Sequence, residues 1–226
     1  MHIYPVTVVD NFFTEPDAIR KYALSLPYSN EYYNYPGVRT ETLSELNPKL
    51  FHTLGNSILS LFTSNCPSSF NMDCFFQKIT PTFDKDKWEV TNRGWIHRDS
   101  KHLFGGVIYL NPNPDPDAGT SIYKSTTGLN RMTDEETNVK MNWFNGTLKD
   151  KAYYSKVYSQ FHKQFTETVT VKNVYNRLIL FDCTTFHGVP THGIKERLTL
   201  PFFFADVGLC FSGNELVHNY PLLRMR

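Results

Sequence analysis

The segment 94–111, GWIHRDSKHLFGGVIYLN, places an imidazole and a carboxylate two residues apart. If this part of the chain is a β-strand, His97 and Asp99 project from one face together with Trp95, while Arg98 projects from the other. A histidine and a carboxylate on one face are two of the three ligands of the 2-His-1-carboxylate triad, which binds Fe(II) and leaves coordination positions open. The same pair is also compatible with a purely structural hydrogen bond, so a third group elsewhere in the chain has to decide between the two interpretations.

The sequence around this pair changes from helical to strand-like patterns. Apolar spacing predicts a helix in TEPDAIRKYALSL, residues 14–26, with Thr14 as N-cap, and a second helix at about 44–63. From residue 70 onward strand patterns recur, including one across WEVTNRGWIHRD, residues 88–99. This order predicts an α+β fold in which N-terminal helices pack on an antiparallel sandwich or barrel.

Length and composition exclude several classes of protein. A chain of 226 residues fits one generous domain, and its 23 basic and 22 acidic residues provide no charge excess for nucleic acid or an anionic membrane. No segment approaches the roughly 18 apolar residues of a membrane helix, the beginning lacks a signal-peptide pattern, and the four cysteines form no CxxC pair. These features predict a cytoplasmic protein without a nucleic-acid or membrane partner, and they leave its oligomeric state open.

The distal part of the chain contains the groups that a site of this kind needs. In RLILFDCTTFHGVPTHGIKERLTLPFFF, His187 is followed ten residues later by Arg197 and then by Thr199. With these motifs in this order, the sequence resembles the Fe(II)/2-oxoglutarate-dependent oxygenases, especially the prolyl-4-hydroxylase-like group. The matching motifs, spread over about residues 90–205, are His97-Arg98-Asp99, Tyr109-Leu110-Asn111, Gly119-Thr120, His187-Gly188-Val189 and Arg197-Leu198-Thr199.

The resemblance implies a fold and a metal site. The core would be a double-stranded β-helix, also called a jelly roll or cupin-like fold, at about residues 69–210. The helices of about residues 1–68 would support it within a single domain of residues 1–226. Three side chains would hold Fe(II), namely His97, Asp99 and His187.

The resemblance also implies a cosubstrate site. 2-Oxoglutarate would chelate the iron, and its far carboxylate would pair with Arg197, whose planar guanidinium suits a carboxylate. Thr199 and Tyr109 would each donate a hydroxyl hydrogen bond to that carboxylate, and O2 would take the remaining iron position. Without the family pattern, Arg197 would be expected at the edge of the core with its charge in solvent, and Tyr109 as an ordinary sheet residue. His192 competes with His187 as the distal ligand, and the family spacing favours His187.

The implied activity is that of a Fe(II)- and 2-oxoglutarate-dependent dioxygenase. Such an enzyme would hydroxylate an unactivated C–H bond of a small molecule or of an amino-acid or peptidyl residue, with release of succinate and CO2. The carboxylate of Asp99 favours hydroxylation over halogenation, because a small residue replaces it in the halogenating relatives. Desaturation and ring formation stay open. The alternative function is a non-catalytic cupin-type module that binds a metal or a small ligand.

Residues 124–165 interrupt the strand pattern with a polar segment that is rich in aromatic residues. Long connections of this kind are often functional, so we predict a substrate lid with a short helix near 149–160. Its expected substrate contacts are Trp143, Phe144, Tyr153 and Tyr154, and Trp95 is expected to join them from the metal-ligand segment. Residues 28–37 are a second candidate wall. The alternatives for 124–165 are a surface excursion or a dimer contact through its aromatic side chains.

Overall fold

The computed structural model of the protein describes residues 6–30, 35–62, 67–210 and 216–218. Helices α1 to α5 lie at Pro16–Ser25, Leu43–Leu46, Pro48–Leu59, Asp134–Phe144 and Lys151–His162, and a 3-10 helix lies at Val90–Asn92. Strands β1 to β11 lie at Val6–Val9, Val38–Arg39, Pro67–Cys74, Gln77–Ile79, Phe104–Tyr109, Thr120–Ser125, Phe165–Val171, Leu178–Asp182, Phe186–Gly188, Arg197–Cys210 and Leu216–His218.

The strands form two antiparallel sheets. The larger sheet follows the order β1-β8-β5-β10-β4-β2, with β3 and β11 also paired to β10, and the smaller sheet has the order β7-β6-β9. The long strand β10 therefore pairs with several strands of the larger sheet. Its residues 197–199 pair with β4, and residues 199–204 pair with β5. Helices combined with antiparallel sheets confirm the predicted α+β class.

The N-terminal helices pack on the larger sheet. Ala23 of α1 and Leu54 and Ile58 of α3 are buried in one apolar cluster with Phe202 and Phe204 of β10. Burial of this apolar surface holds the helices against the sheet that carries part of the site.

Both N-terminal helices differ in detail from the sequence prediction. The helix expected at about 44–63 is divided into α2 and α3, because Pro48 cannot donate a backbone hydrogen bond and starts a new helix. Asn47 caps that helix, and its Oδ1 accepts a hydrogen bond from the backbone N–H of Leu50 at 3.0 Å. The expected Thr14 cap is wrong, because α1 begins at Pro16 with Glu15 as N-cap and without a side-chain capping bond.

The strand predicted for residues 88–99 is also absent, and the segment begins with the 3-10 helix instead. The fully buried amide of Asn92 donates hydrogen bonds to the backbone carbonyls of Lys87 and Gly193, both at 2.9 Å. Side-chain bonds of this kind compete with the regular ladder of a strand. The segment that carries two of the candidate ligands is therefore held by specific side chains rather than by a sheet.

Residues 124–165 contain α4 and α5, of which α5 covers the position of the predicted short helix. Tyr154, Tyr158 and Phe161 of α5 are buried and pack around Trp95 in a second apolar cluster. Although the segment is polar, it forms part of the core because its buried aromatic residues repeat along a single face of α5. None of the described helices is long and apolar enough to cross a membrane.

The aromatic face of α5 should be worth several kcal/mol of stability. Phe161→Ala removes a fully buried ring, and we expect it to lower the free energy of unfolding by about 3–5 kcal/mol, as for other buried Phe→Ala substitutions. Tyr153→Ala on the exposed face of the same helix is the matched control, with an expected change below about 0.5 kcal/mol. Urea denaturation of both variants measures the difference, and equal losses would contradict the assignment of α5 to the core.

Candidate active site

Backbone hydrogen bonds bring the two candidate histidine ligands face to face. The N–H of His97 donates to the carbonyl of His187 at 2.9 Å, and the N–H of His187 donates to the carbonyl of His97 at 3.0 Å. The N–H of Asp99 donates to the carbonyl of Cys183 at 3.0 Å, in the turn that precedes β9. These three bonds attach the irregular segment to β9 and place the three side chains together.

The side chains of His97, Asp99 and His187 form a group that could hold a metal ion, with their ligand atoms all within 4.8 Å of one another. Nε2 of His187 lies 3.1 Å from Oδ2 of Asp99, and Nε2 of His97 lies 3.9 Å from Oδ1. Two imidazole nitrogens and one carboxylate form the donor set of a facial triad, which leaves further positions on the metal open.

The second nitrogen of each imidazole fixes the ring orientation. Nδ1 of His97 is 2.8 Å from the carbonyl of Trp95, and Nδ1 of His187 is 3.0 Å from the carbonyl of Thr185. A carbonyl oxygen only accepts, so in a neutral imidazole the proton belongs on Nδ1. The lone pair of each Nε2 then points toward the carboxylate of Asp99, which is the tautomer that binds metal.

This arrangement of three side chains calls for a cation between them. Within the described residues, Oδ2 of Asp99 is buried without a hydrogen-bond donor, although Nε2 of His187 lies beside it. Two atoms that both present lone pairs at this distance repel each other, and a metal ion satisfies both. The three side chains therefore fit a divalent metal.

The electrostatic environment keeps the ligands in their metal-binding forms. Burial and the neighbouring His187 lower the pKa of His97 to about 4, so its imidazole is neutral at neutral pH. Burial raises the pKa of the Asp99 carboxyl, whereas His97 and His187 lower it whenever an imidazole carries a proton toward the carboxylate. The pKa lies below its usual range overall, so the carboxylate is ionised.

A buried cation lies deeper in the same cavity. Arg197, at the start of β10, is only 4% exposed, and it has no salt bridge to any carboxylate of the described residues. Its Nε donates to the carbonyl of Ala118 at 3.0 Å. Burying a charge without a partner is costly, so the guanidinium requires an anion at this position.

Two buried hydroxyl groups lie near this arginine on the paired strands β5 and β10. Thr199, two residues along β10, is fully buried, and its Oγ1 has no partner among the described residues. The Tyr109 hydroxyl lies 2.9 Å from Oγ1 of Thr120, and burial raises the pKa of Tyr109, so its hydroxyl keeps its proton. Thr120 and Arg197 line the cavity, whereas Tyr109 and Thr199 are not among its lining residues and are paired with each other on β5 and β10.

The cavity that contains these groups has a volume of about 580 Å³, in the usual range for small-molecule sites. Of the expected substrate contacts, Trp95 and Phe144 line it. Trp143, Tyr153 and Tyr154 are not among its lining residues. Trp143 stacks on Tyr154 with ring centroids 4.2 Å apart, the Tyr154 hydroxyl accepts a hydrogen bond from the indole of Trp95 at 3.0 Å, and Tyr153 is exposed.

Of the second candidate wall, residues 28–37, residues 31–34 lie outside the described part of the chain. Tyr35 and Pro36 line the cavity.

Three basic residues line the cavity although the sequence analysis assigned them no place in it. His192 is not in the metal-binding group, yet it lines the cavity and is only 3% exposed. Burial and the charge of Arg197 lower the pKa of His192 to about 3, so its imidazole is neutral. Arg39 and Lys140 also line the cavity. No motif marks these last two positions, since only the fold brings β2 and α4 to the same cavity.

Known structures share this fold. HygX from Streptomyces hygroscopicus, solved with nickel and 2-oxoglutarate bound, has a TM-score of 0.55 at 13% sequence identity, over 88% of this chain and 82% of that chain. A prolyl hydroxylase from Trichoplax adhaerens, in complex with a peptide fragment of the hypoxia inducible factor oxygen degradation domain, has a TM-score of 0.50 at 12% identity, over 88% and 83%. The chain therefore has the fold of the 2-oxoglutarate/Fe(II) oxygenases, which confirms the predicted resemblance at the level of fold.

A family model places the chain more narrowly. The family described as "Family of unknown function (DUF6445)" matches residues 2–193, so the chain belongs to this family. A search of the curated proteins found no match.

The geometry of the triad predicts which substitutions abolish metal binding. His97→Ala, Asp99→Ala and His187→Ala should each weaken the binding of Mn(II) by more than about 100-fold, because even the loss of an outer hydrogen-bond partner costs about 10–100-fold. His192→Ala should retain metal binding, since His192 lies outside the group. Calorimetric titration of the four variants checks this. If the His187 variant binds Mn(II) and the His192 variant does not, the assignment of the distal ligand is reversed.

Proposed function

We propose that the protein is a Fe(II)- and 2-oxoglutarate-dependent dioxygenase that hydroxylates an unactivated C–H bond and releases succinate and CO2. One observation carries the proposal. The same cavity is lined by the triad, which can bind a cation, and by the buried guanidinium of Arg197, which can bind an anion. A metal chelated by a molecule with a distant carboxylate satisfies both requirements at once.

In this proposal each residue has a defined role. His97, Asp99 and His187 would hold Fe(II), and the Nδ1 bonds to backbone carbonyls keep both imidazoles oriented toward it. Fe(II) with 2-oxoglutarate and O2 supplies, when bound, the oxidising power for C–H hydroxylation. Arg197 would bind the far carboxylate of the cosubstrate through its guanidinium, and Thr199 would donate its free hydroxyl to the same group.

The likeness to known structures supports the proposal only through the fold. HygX has been solved with nickel and 2-oxoglutarate, and the Trichoplax enzyme is a prolyl hydroxylase, so this fold can hold such a cosubstrate. We further propose that the strands of the two sheets within about residues 69–210 form a double-stranded β-helix, supported by the helices of about 1–68 in one domain of residues 1–226. The substrate would be a small molecule or a peptidyl residue.

Loss of the buried arginine should affect the cosubstrate and spare the metal. Arg197→Ala leaves the far carboxylate of 2-oxoglutarate buried without its partner, at a cost of about 3–5 kcal/mol, which corresponds to a rise in KM for 2-oxoglutarate of at least about 100-fold. Arg197→Lys keeps the charge without the planar fork and should show a smaller rise. KM is measured from succinate release, and an unaltered value would remove Arg197 from the site.

A spectroscopic measurement tests the function itself without a known substrate. Anaerobic addition of Fe(II) and 2-oxoglutarate together should give a weak visible charge-transfer band that neither gives alone. The band should be lost in Asp99→Ala. Succinate release should then be screened over a metabolite and peptide panel, with mass spectrometry for the gain of one oxygen. A protein that binds metal but gives no band and no succinate would be the cupin-type binding module instead.

We also propose that residues 124–165 cover the substrate. Met132, Lys140 and Phe144 of this segment line the cavity. Both helices pack in the second apolar cluster, but α4 contributes one buried residue, Val139, whereas α5 contributes four buried residues. The part that closes would be the more weakly anchored one, namely α4 and the loop that precedes it.

Hydrogen exchange can separate the two parts of this segment. Amides of residues 126–145 should exchange more slowly when Fe(II), 2-oxoglutarate and a substrate identified by succinate release are all present than with Fe(II) and 2-oxoglutarate alone. Amides of α5 should exchange slowly in both states, because its core packing does not depend on substrate. Equal protection of 126–145 in both states would show that the segment takes no part in substrate capture.

A further inference from the structure

The charge of the cavity differs sharply from that of the whole chain. Over the full sequence, basic and acidic residues nearly cancel, with a net charge of +1. Among the described residues that line the cavity, one carboxylate, Asp99, stands against five basic side chains. These basic side chains are Arg39, Arg98, Arg131, Lys140 and Arg197.

The proposed metal and cosubstrate do not remove this excess. Fe(II) carries two positive charges and 2-oxoglutarate carries two negative charges, so loading the site with both leaves its net charge unchanged. Arg197 would pair with the cosubstrate, and Asp99 would bind the metal. Among the remaining four basic side chains, Arg39, Arg131 and Lys140 form no salt bridge with any described residue.

The backbone and the guanidinium of Arg39 are both restrained by neighbouring residues. It ends the short strand β2, paired with Gln77 of β4. Its guanidinium carbon lies 3.6 Å from the ring centroid of Tyr35 and 4.3 Å from that of Phe75, so aromatic rings restrain the guanidinium. Its Nε is buried without a hydrogen-bond partner among the described residues. A planar guanidinium held by ring contacts keeps the fork geometry that suits a carboxylate or a phosphate.

Lys140 reaches the same cavity from the covering helix α4. It forms no hydrogen bond or salt bridge with any described residue, yet it is half-buried. It is close enough to interact electrostatically with both Asp99 and Arg39, attracted by the first and repelled by the second. Two like charges that face one partly desolvated space repel each other more strongly than in water, and an anion between them turns that repulsion into attraction.

We infer that the primary substrate is a small oxyanion, a carboxylic acid or a phosphate ester, whose charged group binds between Arg39 and Lys140. This inference rests on the proposed function and adds the substrate class to it. The charged group would fix the substrate at the end of the cavity formed by β2 and α4. The rest of the molecule would then extend toward the metal ligands. Arg98, whose guanidinium carbon lies 3.8 Å from the ring centroid of Phe186, and the exposed Arg131 would strengthen the field that attracts the anion.

The test compares binding within matched pairs of compounds. Protein loaded with Zn(II) and 2-oxoglutarate is mixed with small carboxylic acids and their amides, and with phosphate esters and the parent alcohols, and saturation-transfer NMR gives dissociation constants. Acids or phosphate esters should bind at least 10-fold more tightly than their neutral counterparts. The acid and phosphate arms identify which oxyanion is preferred. Equal binding of charged and neutral members, or no binding from either charged arm, would overturn the inference.

Substitution of Lys140 should change ligand affinity and thermal stability in opposite directions. Lys140→Met should weaken binding of the best oxyanion by at least 10-fold. The same change should raise the Tm of the unloaded protein by about 2 °C, because it removes an unpaired, half-buried charge. A purely structural role for Lys140 would lower the Tm and leave the affinity unchanged. Lys156→Met, at an exposed position of α5, is the matched control and should change neither quantity. Arg39→Lys, which keeps the charge but loses the planar fork, should weaken binding by a smaller factor than Arg39→Gln.

The anaerobic charge-transfer band separates this inference from the proposed function. The Lys140 and Arg39 variants should keep the band, since Arg197 and the triad are intact, and this also shows that they fold. If the wild-type protein gives the band but does not prefer oxyanions, only the substrate class is wrong. If it prefers oxyanions through Lys140 but gives no band, only the oxygenase function is wrong.

Discussion

The candidate site depends on a two-way backbone bridge. His97 and His187 lie 90 positions apart in the sequence, and each donates its N–H to the carbonyl of the other. Side chains on paired strands alternate between faces, so a slip of one residue would turn one imidazole away. β9 is only three residues long, and its opposite edge pairs with β6. The bridge therefore fixes both the distance between the two histidines and the side from which they project.

Some of the buried polar groups without partners lie around this bridge and the buried arginine. Within the described residues, Oδ2 of Asp99, Oγ1 of Thr199 and Nδ1 of His192 are all buried without a hydrogen bond. Buried polar groups are normally satisfied, and each exception costs stability. These groups lie in or beside one cavity. Ligands bound there could form the missing hydrogen bonds and so remove the loss of stability that the unsatisfied groups cause. The site is thus less stable than the sheets that support it, and binding should stabilise the whole domain.

From the sequence, the grouping of His97, Asp99 and His187 could be predicted better than the elements that hold them together. The spacing of His97 and Asp99 was informative because i and i+2 positions in extended backbone share a side even outside a regular strand. The strand expected around them does not form, because hydrogen bonds of the buried Asn92 side chain shape this segment, and no periodic pattern reveals such bonds. Arg39 and Lys140 could not be assigned to the cavity at all. Their contribution depends on how a sheet edge and a helix meet, which is a property of the tertiary fold.

Trp95 links the candidate metal site to α5, the helix that contributes most of the second apolar cluster. Its carbonyl accepts from Nδ1 of His97, and its indole donates to the hydroxyl of Tyr154 on α5. A hinge of the proposed lid would therefore not lie between α5 and the sheets, because an outward movement of α5 would displace Trp95, whose carbonyl orients the candidate ligand His97. The hinge of the proposed lid would lie before α5, in residues 145–150 between α4 and α5. In the proposed enzyme, α5 would maintain the geometry of the metal ligands, and α4 would control the exchange of substrate.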